Sequence, residues 1–380
     1  MANAPGGAAL TMFINAAISL TRPSGFSLEV AMAIKPRGVT ALYGPSGSGK
    51  TTVLKLLAGL EDGSRGDQIN ISSDGNIWQD ASHFVPPHKR HVGYVFQQPQ
   101  LFPHLDVRGN LAYASKRAGS QPSAPLAQVC DWLGINHLLT ASPAKLSGGE
   151  AQRVAIARVL LSGARCLLMD EPLGSVDHAA RLQILPYLDR LRRLLDIPIV
   201  YVSHGLDEIT YLADEVYMLE QGRIKAFGTV FELASSLTLN SQEGDVAAAV
   251  VEARVEHHDQ AFGLTCLRLD SQSIYVSRCA QSPGTPIRLR IPARDVSLAL
   301  QVPAQTSILN VLEGVISDIE PLSASPSLLV RVQVGGQYIL SRITRKSLQQ
   351  LELQPGKAVY VQIKTVALLS DLSQQVAISP

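Results

Sequence analysis

The sequence predicts an α/β domain built around a phosphate loop, followed by an all-β region of two small barrels. Three observations carry that fold class. Gly44-Pro45-Ser46-Gly47-Ser48-Gly49-Lys50-Thr51 matches G-x-x-x-x-G-K-[ST] at every fixed position. Two later apolar runs, Cys166–Met169 and Ile197–Val202, end in polar side chains, as buried parallel strands do at a ligand crevice. Beyond residue 235 short strand-like runs and turns take over, and they repeat once.

Composition sets the frame. At 380 residues and 46% hydrophobic, the chain is too long for one typical domain and rich enough to bury sizeable cores. A net charge of +1 and 5% aromatics argue against a nucleic-acid groove, a base-stacking surface or a polybasic anchor. Cys130, Cys166, Cys266 and Cys279 lack C-x-x-C spacing, so neither a disulfide framework nor a zinc site is indicated, and a reducing compartment is expected. Met1-Ala2-Asn3-Ala4 lacks the positive start of a signal peptide. Ala8 to Leu20 is too short and too interrupted, by Thr11, Asn15 and Ser19, to span a bilayer; it reads as a first strand.

The elements follow in order. Residues 8 to 43 read as strands with turns at Thr21–Gly25 and Lys35–Gly38. Val39–Tyr43 enters the phosphate loop and Thr52–Gly59 leaves it as a helix. There the glycines let backbone N–H groups curl around phosphate oxygens, and the helix start adds its free N–H groups. Lys50 is placed for the β- and γ-phosphates and the Thr51 hydroxyl for Mg²⁺. Glu61 to Gly75 reads as a hairpin segment, and His91–Phe96 as a short strand ending at Gln97. Helical stretches are expected near Val107–Lys116 and Leu126–Leu133. Leu146-Ser147-Gly148-Gly149-Glu150 then opens another helix. Ser147 and Glu150 have the spacing of a capping box, and the two glycines expose N–H groups for a second phosphate contact. Asp170 and Glu171 close the next strand, as a metal partner and a base that orients water. His204 ends the following strand; taken alone, such a histidine is more often structural.

Together these pieces resemble the ATP-binding cassette (ABC) ATPases over about residues 8 to 235, and the Leu-Ser-Gly-Gly-Glu run is the distinguishing one. The resemblance implies that Gln97 touches Mg²⁺ and the attacking water. It implies that Ser147, Gly148 and Gly149 bind the γ-phosphate held by a partner cassette. Asp170 and Glu171 are similar to the Walker B pair, Asp177 to the D-loop aspartate and His204 to the switch histidine. Gly44 to Thr52 hold ATP, with Lys50 also among the catalytic residues beside Glu171, His204 and Gln97; Thr51, Gln97 and Asp170 hold Mg²⁺. Two positions depart from the family pattern. Gly174-Ser175-Val176-Asp177 stands where Ser-Ala-Leu-Asp is usual. No aromatic lies in Leu20–Gly25 to stack on adenine, and Phe26 reads as the start of a core strand. One cassette per chain implies a homodimer with composite ATP sites. The importer branch of the family implies separate permease subunits, a substrate-binding protein and a peripheral place on the cytoplasmic face of the inner membrane.

In the C-terminal part, Val251–Val255 parallels Leu312–Val315, and Val276-Ser277-Arg278 parallels Leu340-Ser341-Arg342. Pro283-Gly284 parallels Pro355-Gly356, and Ile287–Ile291 parallels Val359–Ile363, which suggests two five-stranded barrels of the OB type. The expected domains are 1–235, with a helical subdomain at about 99–160, then 236–303 and 304–380. The last resembles the molybdate-binding barrel of molybdate importer ATPases, with Ser307 and Lys364 as oxyanion donors and Leu309 where that family commonly has Arg. A solvated lysine and a capping serine read equally well. The expected function is ATP hydrolysis driving molybdate import. Alternatives are the same machine with sulfate, a polyamine or a sugar as cargo, a non-transport cassette ATPase, and an oxyanion storage module.

Overall fold

A computed structural model describes residues 13–63, 66–118, 124–237, 247–322, 326–364 and 367–368. The chain divides into two compact units, 1–228 and 229–380. No helix among the described residues is long and apolar enough to cross a membrane.

In the first unit, β1 (Ile14–Thr21) and β2 (Ser27–Ile34) alternate buried and exposed side chains along their length. That period of two marks strands with one face on a core. They pair antiparallel, from Ile14 opposite Ile34 to Thr21 opposite Ser27. β3 (Gly38–Tyr43) is instead buried on both faces, as a parallel strand under helices must be. After it comes α1 (Lys50–Ala58), whose Val53, Leu54, Leu56 and Leu57 are fully buried in the main core. Each contributes roughly 1.5–3 kcal/mol of burial. The expected hairpin sits slightly later than 61–75, as β4 (Gln68–Ser73) and β5 (Asn76–Gln79). Its turn is Asp74-Gly75, both at positive φ, as a two-residue hairpin turn requires.

β6 (Val92–Val95) leads to the helical part: α2 (Val107–Arg117), α3 (Leu126–Trp132) and α4 (Gly148–Leu160). β7 (Cys166–Asp170), α5 (His178–Leu194), β8 (Pro198–Ser203), α6 (Leu206–Leu212), β9 (Glu215–Glu220) and β10 (Arg223–Thr229) complete the unit. Among the described residues the strands make one sheet in the order β5-β4-β1-β2-β10-β9-β3-β8-β7-β6. From β9 to β6 neighbouring strands pair in parallel. The C-terminal ends of β3, β8, β7 and β6 are therefore neighbours, and each leads into a segment singled out from the sequence.

The second unit starts with α7 (Val230–Ala234), capped by Thr229 and Glu232 and packed on β11 (Ala248–Asp259). That packing moves the boundary from the expected 235 to 228, because the helix goes with the β region. β12 (Leu264–Leu269), β13 (Gln272–Ser277), β14 (Pro286–Pro292) and β15 (Val296–Ala299) precede β16 (Asn310–Pro321), β17 (Ser327–Val334), β18 (Gln337–Thr344), β19 (Ala358–Ile363) and β20 (Ala367–Leu368). They form two five-stranded sheets, β13-β12-β11-β14-β20 and β15-β19-β16-β17-β18.

The internal repeat holds to the level of single hydrogen bonds. Gly284 N–H donates to Val255 O at 2.8 Å, and Gly356 N–H donates to Ile316 O at 2.8 Å. A bulge follows each acceptor, between Val255 and His257 and between Ile316 and Asp318. The two halves also exchange strands. β15 precedes residue 303 yet completes the second sheet on β19, and β20 follows 304 yet pairs with β14 of the first. A cut at 303/304 thus separates sequence repeats but not sheets, and one hydrophobic cluster runs through both. Matching side-chain clamps join them: Gln272 brackets the backbone of Glu313, and Gln337 brackets that of Glu252.

Candidate nucleotide site

The phosphate loop is shaped by backbone demands that only glycine meets. At Gly44 (φ 156°) an added Cβ would lie 2.1 Å from Leu219 O, and at Gly49 (φ 103°) it would lie 2.7 Å from Leu28 Cδ1. The loop ends at α1, whose first turn has no side-chain cap, so its N–H groups stay open toward an anion. Lys50 is buried and its Nζ donates to Gly44 O at 2.8 Å and Pro45 O at 2.9 Å. Burial pulls its ammonium below the ordinary value, and the carboxylates of Glu171 and Asp170 oppose that pull. Ser48 Oγ is buried without a hydrogen-bond partner. An orphaned hydroxyl inside a glycine cradle beside a buried ammonium is what a phosphate oxygen would satisfy.

Phe26, Ser46, Gly47, Gly49, Lys50, Thr51, Thr52 and Glu171 line a cavity of about 290 Å³ over the loop. Thr51 Oγ1 donates to Asp170 Oδ1 at 2.9 Å, and Tyr94 Oη donates to Asp170 Oδ2 at 2.8 Å. Both oxygens of Asp170 are thus oriented. Burial first, then the charge of Asp170, pushes the Tyr94 phenol well up, so it stays a donor. A hydroxyl, a carboxylate and, from Gln97, an amide are the hard oxygen donors that Mg²⁺ takes.

Glu171 leaves β7 at φ 42°, a left-handed conformation that costs a non-glycine residue about 1–3 kcal/mol. Its N–H donates to Val202 O at 3.0 Å and its carbonyl accepts from Gly174 N–H at 2.9 Å, which holds the turn. The strained turn carries its carboxylate to 3.3 Å from His204 Nδ1. Gln97 reaches the same place: an added Cβ on Gly174 would stand 3.0 Å from Gln97 Nε2 and 3.4 Å from Glu171 Oε2. The glycine in the unusual Gly174–Asp177 stretch therefore makes room for the two side chains. Ser175 Oγ donates to Gln97 O at 3.0 Å, tying that stretch to the end of β6.

Ser147, Gly148 and Gly149 are not among the residues lining the cavity. Ser147 and Gly148 are exposed at the start of α4, with the expected capping box complete. Ser147 accepts from Glu150 N–H at 3.3 Å, and Glu150 Oε2 accepts from Ser147 N–H at 2.8 Å. The Ser147 N–H and hydroxyl, both donating to Glu150 Oε2 at 2.8 Å, hold the Glu150 carboxyl below its usual value. Asp177 caps α5 by accepting from Ala180 N–H at 2.9 Å and is exposed as well. Ser307 and Lys364 are exposed in the second unit, just before β16 and just after β19. Asn310 pairs with Ile363, so the register carried one step further puts Leu309 opposite Lys364. The Asn310 amide bonds to the backbone of Tyr275, accepting from its N–H and donating to its carbonyl.

Several working residues escape a reading of the sequence. Phe26, expected in a core strand, stands one residue before β2 and lines the cavity; its signal was an aromatic between two strands. Glu208 is buried and accepts from Tyr201 Oη at 2.8 Å and Ser203 Oγ at 2.9 Å, and it faces Arg181 Nε at 3.3 Å. Ser203 Oγ in turn accepts from Gly205 N–H at 2.9 Å, and Arg181 donates to Leu173 O at 3.5 Å. One carboxylate thereby joins the two segments that present His204 and Glu171.

Comparison with known proteins matches these features. The ABC transporter family model matches residues 28–174, and the TOBE domain model matches residues 306–369. The chain is 46% identical over 351 residues to the Molybdenum import ATP-binding protein ModC of Pseudomonas aeruginosa, covering 91% of this chain and 96% of the other. The chain belongs to the molybdenum import ATP-binding protein family. Another relative, ModC of Pseudomonas fluorescens, is 47% identical over 351 residues, with the same 91% and 96% coverage. Among solved structures, cbiO1 of Clostridium perfringens, described as part of the ABC transporter complex cbiONQ, superimposes with a TM-score of 0.51. It is 25% identical and covers 60% of this chain and 93% of its own.

Proposed function

We propose that the protein is the ATP-hydrolysing subunit of an ABC importer for molybdate. The observation that carries this reading is a glycine-cradled cavity lined by Lys50, Thr51 and Glu171, with Asp170 bonded to Thr51 and His204 beside Glu171, in a chain whose relatives are named for molybdenum import. The loop N–H groups and Lys50 bind the β- and γ-phosphates. Phe26, which lines the same cavity, is the aromatic for the base, a contact for which the sequence named no residue. Thr51, Asp170 and Gln97 would hold Mg²⁺, which when bound would neutralise charge on the phosphate oxygens. Glu171 accepts a proton from the attacking water, and His204, 3.3 Å away, fixes the carboxylate's direction.

The exposed Ser147-Gly148-Gly149 run completes the cavity of a second copy, so the working unit is a homodimer with two composite sites. As an importer subunit it sits on the cytoplasmic face of the inner membrane against permease subunits served by a substrate-binding protein. Ser307 and Lys364 give the second barrel donors for a tetrahedral oxyanion, by which molybdate inside the cell lowers transport. Leu309, 65% exposed at their side, leaves that site one cation short.

The test is Glu171→Gln. It should bind ATP, lose most hydrolysis and collect as an ATP-dependent dimer in light scattering; Ser147→Arg in that background should return it to monomer. Hydrolysis at the wild-type rate would remove Glu171 as the base. Calorimetry of the full chain decides the sensing role: heat with molybdate or tungstate but not sulfate, tightened by Leu309→Arg, supports molybdate sensing. No heat at millimolar molybdate sinks sensing while leaving hydrolysis and import standing.

A further inference from the structure

Away from the nucleotide site, three side chains of different chemistry meet on the outer face of the first sheet of the second unit. The cause is the bulge in β11. Val255 stands opposite Leu267 and His257 opposite Cys266, so Glu256 is the extra residue. In a regular strand residues 256 and 257 would point to opposite faces. The bulge turns both toward Cys266. Ligand atoms of Glu256, His257 and Cys266 all lie within 4.8 Å of one another, and Cys266 Sγ donates to Glu256 Oε2 at 3.4 Å. The other oxygen of Glu256 is held by the Arg268 guanidinium.

We propose that Glu256, His257 and Cys266 form a binding site for a thiophilic divalent cation of the zinc class. A thiolate, an imidazole and a carboxylate are the mixture such ions take, with bonds of about 2.0–2.3 Å and hence donor separations of about 3.3–3.8 Å in a tetrahedron. The observed sulfur–oxygen separation already falls in that range. His257 is exposed and can turn to close the third edge, while the fourth position stays open to water. Arg268 acts as an outer partner that fixes the carboxylate, leaving Oε2 for the ion. Binding breaks the Cys266 S–H bond and forms a sulfur–metal bond; the proton goes to solvent and nothing is oxidised or reduced.

The second copy of the repeat shows what the bulge is suited to hold. There the bulge sets Asp318 opposite Arg331, and the Arg331 guanidinium bonds to both Asp318 and Ser317. In the first copy Cys266 occupies the register position of Arg331. A permanent cation carried by the chain is thus exchanged for three ligands that can receive one. The cysteine spacing gives no hint of this, because the donors come from two strands and only the register brings them together.

The experiment uses the full-length chain, stripped with a chelator and titrated with Co²⁺ alone. One equivalent should produce a thiolate-to-cobalt charge-transfer band, and Zn²⁺ should bleach it. Cys266→Ser should abolish the band while Cys130, Cys166 and Cys279 remain. His257→Ala and Glu256→Gln, both at exposed positions, should each weaken Co²⁺ by more than the ~10–100-fold typical of losing an outer-sphere partner. Circular dichroism checks that each variant is folded. No charge-transfer band in the wild type at millimolar Co²⁺, a band that survives Cys266→Ser, or unchanged affinity in His257→Ala overturns the proposal.

Discussion

Replacing Glu208 by alanine should weaken the first unit and its catalysis together. The side chain is buried and serves Tyr201, Ser203 and Arg181 at once. Removing one partner of a buried ion pair costs about 3–5 kcal/mol, and the Tyr201 hydroxyl, stranded in the core, adds about 1–3 kcal/mol. Arg181 is 26% exposed and keeps its bond to Leu173, which draws its share toward the lower end. A total near 4 kcal/mol corresponds to a melting temperature lower by roughly 8–16 °C for a unit of this size. Glu208→Gln keeps an acceptor but loses the charge, and should cost about 2 kcal/mol. Calorimetry gives the stabilities, and steady-state ATPase assays give the second half of the expectation: a lower kcat with KM for ATP unchanged, because no cavity-lining residue is touched. An alanine variant within 1 kcal/mol of wild type would refute the reasoning, since the buried Tyr201 and Ser203 hydroxyls and the half-buried Arg181 cannot lose their common partner at so small a cost.

Other expectations follow from the same geometry. Phe26→Ala should raise KM for ATP about 3–10-fold, the weight of one aromatic contact, with kcat little changed; nucleotide titration measures it. Arg90, buried and drawn down to about 10 by that burial, donates to the last carbonyls of α1, Leu56 O at 2.6 Å and Leu57 O at 3.0 Å. Arg90→Met should lower stability by about 3 kcal/mol in urea unfolding by releasing the C-terminal end of that helix. Tyr94 and Tyr201 are both raised above their ordinary value of 10.0, burial being the first cause for each. A raised folded-state value keeps its stabilisation below the unfolded value and loses it as pH rises beyond, so the urea midpoint should fall above pH 10. Tyr94→Phe should flatten that fall, and an equally steep fall in the variant would contradict the assignment.

The nucleotide site was legible because its parts are local. A phosphate loop, a capping box and carboxylates at a strand end are short words whose geometry follows from neighbouring residues. The repeat was legible too, since its Pro-Gly turns sit at matching distances from matching strands. What escaped depends on register between distant segments. Arg90 bonds to carbonyls more than thirty positions away. Glu208 matters because Arg181 lies across from it, and no spacing within either segment announces the pair. The boundary at 228 likewise depends on the face that α7 packs against, which its own five residues do not reveal.

The exchanged strands β15 and β20 have a consequence for how the β region behaves in solution. Two free barrels that completed each other's sheets would be an obligate pair, holding together only above their dissociation constant. Here one chain supplies both. The tether fixes the local concentration of each half around the other at about the millimolar scale, so the pairing does not come apart on dilution. Neither half can open without uncovering an edge of its neighbour, and the two should melt in a single transition at any protein concentration.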